Sequence, residues 1–241
     1  MLFRSFQFQV DDGTGESNSR SNVTTVTTTV TPAVAGFDFH DGVLTVIGTP
    51  DDDSIRVLRS GKGYNVVTTF GTFSVPNRAS LTRVLVRARG GNDTVNLSAL
   101  QPSQAAEVYG GAGNDSITGG AAHDILLGGL GNDTLTGGNG DDLLIAGAGS
   151  DRLVGSNGND MLIAGILNDP CRELDLRGVL DAWRSASSSA SRLAAARPLI
   201  DLLLDDGAFD MLTGAAGVDL FAVSKLDRII DLAAQDLVVR I

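Results

Sequence analysis

Apolar and polar residues recur with a nine-residue period between Gly110 and Ile163. In each nine-residue unit the eighth residue is aliphatic, the sixth is aspartate, and the first, second and fourth are mostly glycine. Glycine adopts a positive φ at little steric cost, so the glycine-rich half of each unit predicts a tight turn. The last three residues predict a short strand whose central aliphatic side chain points inward. Each unit is therefore expected to contribute one turn and one strand.

Six such units follow one another without a gap. They read GGAGNDSIT, GGAAHDILL, GGLGNDTLT, GGNGDDLLI, AGAGSDRLV and GSNGNDMLI. Two units form one coil of about 18 residues, and coils stack at the strand spacing of about 4.8 Å. The predicted fold class is mainly β, a parallel β-roll, which is a two-sheet β-solenoid. Stacking places the sixth-position aspartates in two columns, Asp115, Asp133 and Asp151 on one side and Asp124, Asp142 and Asp160 on the other.

The flanking sequence repeats the pattern in a degenerate form. Aspartate followed two residues later by an apolar residue recurs at Asp53 and Asp93 before the repeats and at Asp210 and Asp219 after them. Runs rich in β-branched residues, separated by glycine and proline turns, predict an N-terminal β-region that caps or continues the roll. The expected domains are a flexible N-terminal arm (1–35), this β-region (36–109), the roll (110–165), a helical insert (166–204), and degenerate repeats with C-terminal strands (205–241).

The helical insert is predicted from a change of period. Asp169-Pro170 is a helix-start signal, and apolar residues then recur at helical spacing from Leu176 to Trp183. An amphipathic helix is expected from Cys171 to about Ala186. A second helical run is expected near 192–204, interrupted by Pro198.

One sheet of the roll is predicted to have an apolar outer face. Positions seven and nine flank the inward residue, and in the second, fourth and sixth units they are all large and apolar: Ile125, Leu127, Leu143, Ile145, Met161 and Ile163. Soluble monomers rarely expose such a patch. We hypothesise that the helix at 171–186 packs there with Trp183 as an anchor. The alternative is that a partner protein or a second copy of the chain, as a homodimer, covers this face.

Composition narrows the class of partner. The 241 residues include 29 acidic and 18 basic side chains, a formal net charge of −11, which argues against nucleic acid and anionic membranes as partners. A single cysteine excludes a disulfide framework, and no run approaches the ~20 apolar residues of a membrane span. The first residues lack the apolar stretch of a cleavable export signal.

The aspartate columns require a compensating cation. The six units contain seven acidic residues and one basic residue, Arg152, and carboxylates one strand spacing apart repel each other. Carboxylates beside turn carbonyls form a hard-oxygen site that favours Ca²⁺. Zinc would need His or Cys, and the repeats contain only His123, which is interpreted as a turn residue. Magnesium fits less well because it retains its waters.

The tandem GGxGxDxUx units resemble the calcium-binding nonapeptide repeat of RTX, or hemolysin-type, secreted proteins. The resemblance implies Ca²⁺ held by turn backbone and by aspartate pairs two units apart, namely Asp115–Asp133, Asp133–Asp151, Asp124–Asp142 and Asp142–Asp160. The implied metal-site residues are Asp115, Asp124, Asp133, Asp142, Asp151, Asp160, Gly111, Gly113, Gly120, Gly129, Gly131, Gly138 and Gly140. Ala122, Ala146 and Ser156 depart from the pattern. Ala122 is expected to weaken its site most, because its Cβ would be strained at a left-handed position.

No catalytic constellation accompanies the repeats. The sequence has no HExxH or GxSxG motif, and Cys171 has no histidine near it in sequence, so the chain is not expected to be an enzyme. The predicted function is calcium binding that stabilises a secreted β-roll. The resemblance also implies export by an uncleaved C-terminal signal, with which the tail at 236–241 is compatible. The alternative is an extracellular adhesion or surface-associated module in which calcium is structural and a β-face binds a partner.

Overall fold

The computed structural model describes residues 35–168 and 174–241. In chain order its elements are β1 (Gly36–His40), β2 (Val43–Ile47), β3 (Ser54–Ser60), β4 (Gly63–Thr68), β5 (Gly71–Val75), a 3₁₀ turn (Arg78–Ser80), β6 (Arg83–Gly90), β7 (Thr94–Asn96), β8 (Ala105–Ala112), β9 (Ser116–Thr118), β10 (Ile125–Leu130), β11 (Thr134–Asn139), β12 (Leu143–Ala148), β13 (Arg152–Asn157), β14 (Met161–Ile163), β15 (Ile166–Leu167), α1 (Leu176–Ser185), α2 (Ser189–Ile200), β16 (Leu203–Leu204), β17 (Met211–Ala216), β18 (Leu220–Val223), β19 (Arg228–Ile229) and β20 (Leu237–Arg240). The predicted arm at 1–35 lies almost wholly outside the described residues.

The chain winds between two nine-stranded sheets. Sheet A has the order β1-β2-β6-β8-β10-β12-β14-β18-β20, and sheet B has the order β5-β4-β3-β7-β9-β11-β13-β17-β19. Neighbouring strands are parallel from β2 to β20 and from β3 to β19, whereas β1, β4 and β5 pair antiparallel at the N-terminal end. The predicted parallel β-roll is confirmed.

The strand register shows that two units form one coil. Ile125 pairs with Leu143, and Thr134 pairs with Arg152, so equivalent residues are 18 apart. After the sixth unit the partner of Met161 is Leu220, which is 59 residues further along instead of 18. One coil therefore carries an insertion of 41 residues, and this insertion contains both helices. The strands before the repeats join the same two sheets through longer coils.

The inner core lies between the sheets. The eighth-position side chains of all six units are buried there, and Leu212 and Phe221 extend the row beyond the insertion. Each of these side chains stacks on its equivalent in the next coil, as the paired positions Leu126 and Leu144 illustrate. The inward orientation predicted from the nine-residue period is confirmed.

A second core lies between the outer face of sheet A and the inserted helices. Val179, Leu180 and Trp183 of α1 and two buried residues of α2 pack against the apolar outer side chains of the even-numbered units. Leu127 is only partly buried in this cluster. The hypothesis that the insert covers this face, with Trp183 as an anchor, is confirmed. These side chains therefore contact the chain's own helices.

The helix boundaries differ from those predicted. Helix α1 begins at Leu176 because the Asp175 carboxylate caps it, accepting a hydrogen bond from the Gly178 N–H at 3.0 Å. The expected start at 169–171 lies outside the described residues. Helix α2 begins at Ser189, earlier than predicted, because Ser188 forms a capping box with Ser191. Pro198 lies inside this helix rather than interrupting it. The helices have 10 and 12 residues, which is too short for either of them to cross a membrane.

We expect Trp183→Ala to lower the free energy of unfolding by about 3–5 kcal/mol. Trp183 is fully buried, its Nε1–H donates to the Asn159 carbonyl at 2.5 Å, and its ring lies 5.3 Å from the Arg192 guanidinium. Urea unfolding at saturating calcium measures the change. Leu193→Ala, which truncates an exposed side chain of the same insert, is the control and should cost less than about 1 kcal/mol. Equal losses in the two variants would contradict Trp183 as an anchor.

Candidate calcium-binding turns

The aspartates at the turns form two hydrogen-bonded ladders, one on the side of each sheet. The backbone N–H of each aspartate donates to Oδ1 of the aspartate on the next coil, at 2.7–3.2 Å. Column B, on the sheet B side, consists of Asp53, Asp93, Asp115, Asp133, Asp151, Asp210 and Asp227. Column A, on the sheet A side, consists of Asp124, Asp142, Asp160, Asp219 and Asp236. The structure brings the predicted aspartates together in two columns and extends each column beyond the six units.

The second carboxylate oxygen is buried without a hydrogen-bond donor at seven ladder positions. These are Asp93, Asp115, Asp133, Asp151 and Asp210 in column B and Asp142 and Asp160 in column A. Orphaned buried oxygens of this kind are costly in a native protein and indicate a missing partner. Their recurrence at one atom, Oδ2, on successive coils indicates a repeated ligand position rather than a local defect.

The buried carboxyls are difficult to ionise in the metal-free chain. Burial raises the pKa of Asp142 to about 10 and that of Asp160 to about 8, and neighbouring aspartates of the column add to the rise. Burial likewise raises the pKa of Asp93, Asp151 and Asp210 to about 7. A cation at the orphaned oxygens would favour the ionised form and so lower these pKa values again.

First-position glycines leave room beside these oxygens. A Cβ on Gly128 would lie less than 3.0 Å from both Asp133 Oδ2 and the Ala146 carbonyl oxygen. Gly110 and Gly137 repeat this arrangement with their own aspartate and with the carbonyl one coil further on. A carboxylate oxygen and a backbone oxygen thus converge on the space that glycine leaves. The sequence analysis did not include these glycines in the site, although glycine fills the first position of five of the six units.

The second- and fourth-position glycines allow the backbone carbonyls of successive turns to stack closely. Gly129 and Gly131 have φ of +124° and +118°, and a Cβ on either would collide with the carbonyl of Gly111 or Gly113 on the preceding coil. Six of the seven predicted glycines have positive φ: Gly111, Gly113, Gly129, Gly131, Gly138 and Gly140. Within residues 35–168 and 174–241, no three side chains of His, Cys, Asp or Glu come together as a metal site. The stacked turn carbonyls are backbone oxygen ligands of the kind that Ca²⁺ accepts.

The second unit has a different turn. Neither Gly120 nor Ala122 has a positive φ, so the expected strain at Ala122 is wrong. The turn instead directs the Gly120 N–H to Asp124 Oδ2 at 2.6 Å, while the Ala106 N–H donates to Asp124 Oδ1 at 2.6 Å. Both carboxylate oxygens of Asp124 are thus satisfied by protein donors. Ser156, by contrast, does adopt a left-handed φ of +85°.

The degenerate copies also differ from one another. Asp53 is satisfied by threonines, because the Thr49 N–H and hydroxyl donate to its Oδ2 at 2.6 and 3.0 Å and the Thr69 hydroxyl donates to its Oδ1. Asp93 and Asp210 retain an orphaned Oδ2. These two degenerate copies therefore have the same donor deficit as the strict repeats, whereas Asp53 does not.

Fifth-position side chains form a second ladder that runs in the opposite direction. Asn114 Oδ1 accepts from the Asn132 N–H of the following coil at 2.7 Å, and His123 Nδ1 accepts from the Asp141 N–H at 2.8 Å. The accepting Nδ1 requires the imidazole to be unprotonated there, and burial lowers the pKa of His123 in agreement. His123 is thus a ladder residue at a turn.

Comparison with known proteins agrees with this geometry. A family model described as the RTX calcium-binding nonapeptide repeat (4 copies) matches residues 107–135 and 136–169. No sequence among the curated proteins matches the chain. The matched residues contain the turns of the six strict units and five of the seven aspartates with an orphaned Oδ2: Asp115, Asp133, Asp142, Asp151 and Asp160. The chain therefore carries the RTX calcium-binding nonapeptide repeat, and Ca²⁺ is the ion that its β-roll binds.

Proposed function

We propose that the chain is a secreted protein whose β-roll is stabilised by calcium binding, and that the ion has a structural rather than a catalytic role. The observation that carries the proposal is the row of seven buried Oδ2 atoms without donors. Covering of the apolar face of sheet A by the chain's own helices favours this function over a module that binds a partner through that face.

The proposed ligands combine carboxylates and turn carbonyls. In column B they are Asp115, Asp133 and Asp151, with Asp93 and Asp210 extending the series, and in column A they are Asp142 and Asp160. The carbonyl oxygens of the left-handed glycines in the same turns complete the set. Each ion would lie between coils, where it neutralises neighbouring carboxylates and joins one coil to the next.

Calcium binding of this kind is coupled to folding. The ligands come together only when the coils stack, so an ion that binds the stacked form stabilises it by mass action. Extracellular calcium modules bind at about 10⁻⁴–10⁻³ M. A roll with such sites would be incompletely formed at the low calcium concentration inside a cell and complete outside it. RTX repeat proteins are typically secreted, in agreement with this behaviour.

We expect Asp142→Asn to bind at least one Ca²⁺ fewer than the wild type and to show a smaller calcium-induced rise in Tm. The amide keeps the size of the side chain and the oxygen that accepts from the Asp124 N–H at 2.7 Å, but it replaces the orphaned Oδ2, the proposed calcium ligand, with an NH₂ group. Without calcium its Tm should equal or exceed that of the wild type, because the cost of burying and protonating an acidic group has gone. Calorimetric calcium titration and thermal unfolding measure both effects.

Asp141→Asn is the matched control, since it makes the same charge change at the adjacent residue. Asp141 Oδ1 accepts from the Asn159 N–H at 2.8 Å, and the first, third and sixth units have asparagine at this position. This variant should keep the full calcium count. If both variants lose calcium equally, net charge rather than position in the column controls binding, and the ligand assignment is wrong.

Calcium stabilisation should increase with pH. Burial raises the pKa of eight of the ladder aspartates to between about 6 and about 10 in the folded metal-free chain, well above the ~3.9 of an unfolded chain, so the fold binds more protons than the unfolded state. The Tm of metal-free protein therefore falls as pH rises through this range. Calcium displaces these protons, so its half-saturating concentration should fall at least about tenfold from pH 5.5 to 7.5. A pH-independent midpoint would contradict ligation by these carboxyls.

A further inference from the structure

The helical insert contributes an arginine to the start of column A. Arg177 of α1 is half-buried, and its Nη1 donates to the His123 carbonyl at 2.6 Å while its Nη2 donates to the Ala106 carbonyl at 3.2 Å. These two carbonyls lie on neighbouring coils beside Asp124, whose Oδ1 accepts from the Ala106 N–H. The guanidinium therefore joins the two coils at the first carboxylate of the column.

A second arginine of the insert lies near the other end of the column. Arg192 of α2 uses Nη1 to donate to Asn159 Oδ1 at 3.0 Å and to the Val218 carbonyl at 3.3 Å. Val218 immediately precedes Asp219, and the Arg192 charge acts on that carboxyl. The guanidinium again joins two coils through polar oxygens of their turns.

The carboxylates next to the arginines differ from those between them. Among the described residues of column A, the orphaned Oδ2 atoms belong to Asp142 and Asp160 and not to Asp124 or Asp219. Burial raises the pKa of Asp124 and Asp219 to about 6, and the nearby arginine opposes that rise in each case. The pKa of Asp142 and that of Asp160 are higher, at about 10 and 8. Charge compensation by protein is thus concentrated near the ends of the column.

We propose that Arg177 and Arg192 are built-in counter-cations for column A and that they confine its calcium to the turns of Asp142 and Asp160. A guanidinium supplies a permanent positive charge with several donors in a fixed plane, so it can bind backbone oxygens on two coils at once. In agreement, the second unit, which contains Asp124, lacks the left-handed turn that brings backbone carbonyls together in the other units. This inference rests on the proposed function, because it divides the same ladder into calcium-dependent and arginine-dependent turns.

Counting bound calcium in the full chain tests the division. We expect native mass spectrometry at saturating CaCl₂ to find the wild-type number of ions in Asp124→Asn and in Arg177→Gln, but at least one fewer in Asp142→Asn. If Asp124→Asn loses as many ions as Asp142→Asn, the inference is overturned while the proposed function stands. If Asp142→Asn keeps every ion, calcium does not bind in column A, and both the inference and the proposed function fail for that column.

A double-mutant cycle tests the role of Arg177 without counting ions. At saturating calcium, Arg177→Gln should lower Tm by roughly 5 °C, and this loss should be smaller in an Asp124→Asn background, because one of the three carboxylates that act on the guanidinium, with Glu107 and Asp181, is gone. Arg197→Gln is the control, since Arg197 is exposed on α2 and pairs with Asp201 at 2.7 Å, and its small effect should be the same in both backgrounds. Strict additivity of Arg177→Gln and Asp124→Asn would overturn the pairing.

Discussion

Repulsion between stacked carboxylates is the constraint on which the rest of the molecule depends. Parallel coils at strand spacing place an aspartate directly beside its equivalent, and at seven positions the second carboxylate oxygen is buried without a hydrogen-bond donor. The ladder of backbone N–H donors satisfies only one oxygen of each carboxylate. The remaining oxygen must therefore be compensated by a donor or by a positive charge. Asp124 has the Gly120 N–H with Arg177 nearby, Asp53 has threonine donors, and the seven orphaned oxygens are left for calcium.

The periodic part of the fold could be predicted from the sequence. One aliphatic side chain per nine residues indicated the inner core, and three even-numbered units with apolar flanking residues indicated a covered face and a covering helix. Both predictions are confirmed because successive side chains of a strand point to opposite faces of the sheet. Leu144 is therefore in the inner core, and Ile145 is in the core under the helices. The calcium chemistry followed from the same register, since only a strict repeat stacks like charges.

Local hydrogen bonds were not predictable because they depend on which donors the fold brings close. Thr69 reaches Asp53 from a hairpin whose register the sequence does not specify. The turn at Gly120 has a different conformation, and Ala122 replaces glycine at the fourth position of this unit. The conformational preference of alanine alone predicted strain at that position rather than a different turn. The sequence analysis did not identify Asp175 as the cap of α1, because the capping preference of aspartate does not distinguish one aspartate before a helical pattern from another. Arg177 lies more than 50 residues from its acceptor at His123, so no local pattern could pair them.

The two side-chain ladders run in opposite directions at neighbouring positions. A fifth-position side chain accepts from the following coil, whereas a sixth-position side chain accepts from the preceding one. Each turn is therefore hydrogen-bonded to the turns on both sides of it. A force applied along the axis of the roll is shared by the several hydrogen bonds that join each pair of neighbouring coils. Mechanical failure should then begin at a terminal coil, which has a neighbour on one side only, and travel inward one coil at a time.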